Sequence, residues 1–297
     1  MTQIQDSDKG SGGTSAITAL MIESNRSRSA FAGLDPSQYT QVTVAITDLD
    51  QWPDAFLGVG REHLERARQA ERGLHLVTAA GAYRDASLWF HFATCIPGVD
   101  VSTVRAAETA AADALSNALG LETGRDAERI DALDSDLPFV ALIQRPVGVT
   151  NPPIVLIIPG LDSSKEEFQA FAAGLRDRGM ATVSIDGPGQ GEAFGLAPLC
   201  PMYEQVVTAV LDRIASAPNV DVNRVAAIGF SLGGFYVVRA AAYESRLKAA
   251  VAVTGPFAMA GWDGPRRAQV QATLRLRAPG NDATTFESMS EQEAMPP

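Results

Sequence analysis

Five consecutive aliphatic residues, 154–158, stand between Pro153 and Pro159. A run that short and that apolar, closed at both ends by proline, suits a strand buried on both faces. The same logic predicts strands over 181–185, 224–228 and 247–253, separated by helical patterns over 165–178, 203–217 and 232–243. Strands alternating with helices imply an α/β fold: a mostly parallel sheet with helices on both faces. Two further strands are expected before it, over 129–132 and 139–145, joined by the turn Asp134-Ser135-Asp136.

The part before this sheet has a different period. Residues 53–72, 74–95 and 101–119 read as helices, the second stopped by Pro97 and the third closed by Gly120. Residues 45–122 are therefore expected to form a helical N-terminal or cap domain, and 123–297 the sheet-bearing core. Residues 1–44 are rich in Ser, Gly, Gln and Asp and are expected to be a mobile tail. A helix is expected over 262–277 and no element over 281–297.

The chain has 297 residues, 46% of them hydrophobic, and a formal net charge of -11. That charge repels nucleic acid and anionic membrane surfaces, so neither is an expected partner. The apolar run 16–22 is ended by Glu23 and is too short for a signal peptide, and no run approaches a membrane-spanning length. Two cysteines far apart, Cys95 and Cys200, fit a reduced, cytoplasmic protein better than a disulfide scaffold.

The chemistry is concentrated in Gly229-Phe230-Ser231-Leu232-Gly233-Gly234, a G-x-S-x-G segment between a predicted strand and a predicted helix. Such a serine sits on a strained turn that lifts its hydroxyl clear of the sheet, and larger residues at Gly229 or Gly233 would collide with the neighbouring backbone. Ser231 is thus the candidate nucleophile. The N-terminus of the following helix favours an oxyanion through its N–H groups and dipole. Leu232 N–H is one candidate donor. The second is Leu161 N–H, in the loop Pro159-Gly160-Leu161-Asp162-Ser163-Ser164 after the first buried strand. Asp162 or Ser163 could equally cap the next helix. Asp186-Gly187-Pro188-Gly189-Gln190-Gly191-Glu192 lacks the spacing of a dinucleotide loop and is read, with Asp186 and Gly160, as shaping the floor of the site.

Taken together, Gly160 to Glu167, Arg178 to Thr182, Asp186 to Glu192 and Gly229 to Gly234 resemble the α/β-hydrolase superfamily. The resemblance is to its branch of 2,6-dihydroxypseudooxynicotine hydrolases, fermentation–respiration switch proteins and fungal polyketide-shortening hydrolases. The segment from Trp52 to Ala93 is similar to that branch's N-terminal helices. The resemblance implies an esterase-like or ketone-adjacent carbon–carbon bond hydrolase, with no metal or organic cofactor. It also implies a small aromatic or acyl substrate, helices that fold over the serine, and a homodimer. It places acidic residues near the position of Asp263, whose simpler reading is a helix cap before Pro265.

In that superfamily an acid and then a histidine follow the serine. No histidine follows Ser231; His63, His75 and His91 all lie in the helical segment. Three readings stay open: a piece of a longer hydrolase, a helical-domain histidine serving as base, or a non-catalytic binder. His91, set among Trp89, Phe90 and Phe92, is the candidate substitute base or substrate contact. His91 and Cys95 share a helix face, but two ligands without a third do not make a metal site.

Overall fold

The computed structural model describes residues 14–122, 126–255 and 265–278, the last from residue 270 onward for side chains. Five helices come first: α1 (Ala16–Ala32), α2 (Pro36–Thr43), α3 (Trp52–Arg72), α4 (Leu76–Phe92) and α5 (Val101–Leu121). Then follow β1 (Asp126–Asp131), β2 (Val140–Arg145), β3 (Pro153–Ile158), α6 (Gln169–Arg176), β4 (Ala181–Asp186), α7 (Tyr203–Ile214), β5 (Asp221–Phe230), α8 (Leu232–Tyr243), β6 (Leu247–Val253) and α9 (Pro265–Arg277).

The six strands form one sheet in the order β1-β2-β4-β3-β5-β6. β4, β3, β5 and β6 run parallel, while β1 and β2 enter antiparallel as a hairpin at one side. β3 lies at the centre, with Ile154 and Leu156 to Ile158 all but inaccessible, as an all-aliphatic strand requires. One core joins the sheet to α7 and α8 through Val206, Val210, Tyr236 and Val237. A second, aromatic core lies among the N-terminal helices, where Trp52 stacks on Phe56 at 4.2 Å and Tyr39 packs edge-on to both. β6 is the outer strand, and Lys248 to Ala252 are exposed along it.

The expected tail is corrected. Within 1–44, residues 16–32 and 36–43 are helical. Ser15 caps α1 and Gly33, at φ 112°, ends it; Asp35 caps α2, whose first residue is Pro36. The composition misleads because α1 buries Thr18, Asn25 and Ser29 along with Met21 and Ala32, so its inward face carries no continuous apolar stripe. Asn25 donates to the carbonyls of Met21 and Cys95. The predicted helix over 165–178 begins instead as a 3-10 turn, Lys165–Phe168, and becomes α6 only at Gln169.

Candidate active site

Ser231 joins β5 to α8 at φ 53° and ψ −120°. A side chain at positive φ costs about 1–3 kcal/mol and persists only where neighbours over-determine it. Here the neighbours are backbone. A Cβ on Gly229 would overlap the Gly233 carbonyl, and one on Gly233 would overlap the Ile158 carbonyl. The corner is thus closed too tightly for any residue but glycine at either place. Ser231 N–H donates to Val253 O at 2.9 Å, tying the corner to the end of β6. The serine is exposed while Leu232 beside it is buried.

The loop after β3 lies against this corner. A Cβ on Gly160 would stand 3.3 Å from Ser231 Cβ and 3.3 Å from Phe230 O. Leu161 begins the turn that follows and is half-buried. Leu232 opens α8, in the first turn where N–H groups lack intrahelical acceptors. The two backbone donors expected from the sequence therefore belong to segments in contact at the serine.

Charged groups hold the loop from behind. Arg28, on α1, donates from Nε and Nη2 to Glu167 at 2.7 and 2.8 Å. It also donates to Asp162 Oδ2, Asp162 O and Ser163 Oγ at 3.1, 3.3 and 3.1 Å. Burial works against the Glu167 anion, but Arg28 and His91 outweigh it and hold the carboxyl well below the usual range. Asp186, fully buried, accepts from Lys165 N and Lys165 Nζ at 2.7 and 2.8 Å and from Glu192 N at 3.2 Å.

Comparisons with known proteins bear on the fold. A family described as "Alpha/beta hydrolase family" matches residues 154–297. The chain is 35% identical over 137 residues to the 2,6-dihydropseudooxynicotine hydrolase of Paenarthrobacter nicotinovorans, a match covering 46% of this chain and 37% of that protein. It is 29% identical over 253 residues to the alpha/beta hydrolase ucsC of an Acremonium species, covering 75% of this chain and 50% of that one. The solved 2,6-dihydroxy-pseudo-oxynicotine hydrolase superposes with a TM-score of 0.76 at 24% identity, over 89% of this chain and 73% of that one.

The chain has an α/β-hydrolase fold. The matched regions span about half or less of the length of these two curated relatives.

Within this hydrolase fold the other sequence candidates fall in different places. His91 is corrected: it is completely buried and faces no open space. Its Nδ1 meets Ser164 Oγ at 2.9 Å and Glu108 at 3.5 Å, and its Nε2 meets Glu167 at 3.1 Å and Cys95 Sγ at 3.5 Å. Burial disfavours the charged ring, but Cys95 and Glu108 outweigh it and hold His91 well above the ordinary histidine value. Its two ring nitrogens are engaged by Ser164, Glu108, Glu167 and Cys95 and not by Ser231. His63 is engaged by Gln38 and Asp85. Among the described residues no side chain is hydrogen-bonded to Ser231 Oγ. Asp263 lies outside the described residues.

Asp186 is bonded to Lys165 and to the backbone of Glu192. Carboxylate oxygens of Glu166, Asp186 and Glu192 come within 4.8 Å of one another, a spacing that could suit a cation. Lys165 Nζ already stands among them, at 2.6, 2.8 and 2.7 Å. Burial lifts Glu166 to about 7 despite that ammonium. Sequence reading missed Arg28 and Glu167, both far from the serine in the chain. The Ser15 and Gly33 caps were the signal that Arg28 sits on an ordered helix.

Proposed function

We propose that this chain is a cofactor-independent serine hydrolase acting on an ester or on a carbon–carbon bond next to a ketone, with Ser231 as nucleophile. The observation that carries the reading is the exposed serine at φ 53° with Gly160 packed beside it. Ser231 Oγ attacks the carbonyl carbon, its proton passing to solvent water that returns one to the departing group, and the carbonyl oxygen becomes an oxyanion held by Leu161 and Leu232 N–H. Collapse breaks the C–O bond of an ester, or the C–C bond of a ketone whose departing carbon takes up a proton. Water then releases the acyl group from the serine. Both outcomes share the first intermediate, so one site serves either substrate class.

The substrate class is a small aromatic or acyl molecule. Phe31 on α1, 46% exposed, lies 6.0 Å from the rings of both Phe171 and Phe230, the latter next to Ser231, which favours an aromatic portion. The names of the relatives support a hydrolase. Two free thiols, Cys95 and Cys200, fit a cytoplasmic setting, and no helix among the described residues is long and apolar enough to cross a membrane. A homodimer is the assembly proposed from the resemblance.

A second reading is a binding protein that uses the same site without turnover. It is favoured by the absence, among the described residues, of a base bonded to Ser231. Rates of hydrolysis of aryl acetates and of aryl 1,3-diketones by the full chain and by Ser231→Ala separate the two. Turnover lost in the variant supports the enzyme. Equal rates in both remove Ser231 from the chemistry, and ligand-dependent melting without turnover in either supports the binder.

A further inference from the structure

We infer that Gln190 is a positioning residue for the oxyanion hole, setting which way the Gly160–Leu161 peptide faces. The inference rests on the assignment of Leu161 N–H to the oxyanion. Gln190 is fully buried, and its Nε2 donates to Gly160 O at 2.7 Å and to Pro159 O at 3.2 Å. Its Oε1 accepts from Gly187 N–H at 3.2 Å and from the Tyr203 hydroxyl at 3.1 Å. The amide can face only one way, because two carbonyls accept and a backbone N–H donates. Tyr203 is itself immobilised, stacked on Tyr236 at 4.2 Å.

A peptide unit is planar, and in the trans form its C=O and N–H point in opposite directions. No peptide in the described chain is cis. By drawing the Gly160 carbonyl inward, Gln190 therefore turns the Leu161 N–H outward, to the side on which Ser231 is exposed. Without the amide donor two buried carbonyls lose their partner, and the cheapest remedy is rotation of that peptide, which carries the N–H away from the serine. The segment Asp186 to Glu192 thus acts on the site through one glutamine amide.

The test uses the full chain and Gln190→Glu, which keeps size and acceptance from Gly187 and Tyr203 while removing the donor. Crystal structures of both report the peptide's direction, and reaction with a fluorophosphonate reports the limiting rate and the half-saturating concentration. The expected result is a rotated Gly160–Leu161 peptide and a limiting rate lower by about 10-fold or more. Half-saturation should stay within about twofold, since ground-state binding is untouched. An unrotated peptide, or a rotated one that reacts as fast as before, overturns the inference. A wild-type chain that never reacts with the probe sinks the hydrolase reading instead, and the two structures alone then decide the role of Gln190. Should Gln190→Glu not fold, Tyr203→Phe frees one anchor of the amide, and the same rotation and rate loss decide the matter.

Discussion

Ser231 occupies a backbone conformation that a glycine would adopt without penalty, and that difference is measurable. Ser231→Gly should be more stable than Ser231→Ala by about 1–3 kcal/mol in urea unfolding, because only the glycine releases the strain at positive φ. Gly233→Ala should cost about 1–3 kcal/mol, since its methyl meets the Ile158 and Pro159 carbonyls. It should also cost Ser231 its reactivity, because the corner must open. The sequence carried this much plainly: Gly229, Ser231 and Gly233 together have one sensible geometry between a strand and a helix. The surroundings of His91 were not legible, because its partners Glu108, Ser164 and Glu167 come from distant segments. His91 is raised in the fold, so its contribution is fully present below its unfolded value of about 6.5 and is lost as pH rises through the folded value. Glu167 is depressed, so its contribution is present above about pH 4.3 and is lost as pH falls through the folded value. Unfolding free energy measured against pH should therefore decline above about 6.5 in the wild type and lose that slope in His91→Gln.

At the scale of elements, α1 joins the N-terminal helices to the loop after β3. Arg28 ion-pairs with Glu167, and both are largely buried, so removing one partner leaves an uncompensated charge. Arg28→Ala should destabilise the chain by about 3–5 kcal/mol, whereas Arg28→Ala with Glu167→Ala should cost less than Glu167→Ala and Arg28→Ala summed. Denaturant unfolding of the three variants checks this, and additive losses would mean the pair is not coupled. The strands around β3 were readable because aliphatic runs leave few alternatives to a buried parallel sheet. α1 was not, since its inward face mixes Thr18, Asn25 and Ser29 with Met21 and Ala32, and burial of those polar residues depends on partners elsewhere in the chain. The turn Lys165–Phe168 was read as helix because its residues favour one; Asp186 instead captures Lys165 N–H and Nζ. Tertiary bonds there override local preference.

In the molecule as a whole, one sheet brings together segments that begin at 153 and 221 and sets the Gly160 loop beside the Ser231 corner. The outer strand β6 pairs with β5 alone among the described strands and exposes Val251 to 50%. A parallel edge of that kind invites association, so Val251→Lys should reduce concentration-dependent light scattering without shifting the melting temperature. Ser231 as a nucleophile addressed by two backbone amides is the central claim. Incubation of the full chain with a fluorophosphonate, followed by peptide mass spectrometry, tests that directly. The expected result is a saturable, single adduct on Ser231 that disappears in Ser231→Ala. An unmodified Ser231 at saturating probe, or an adduct that persists in the alanine variant, would contradict it.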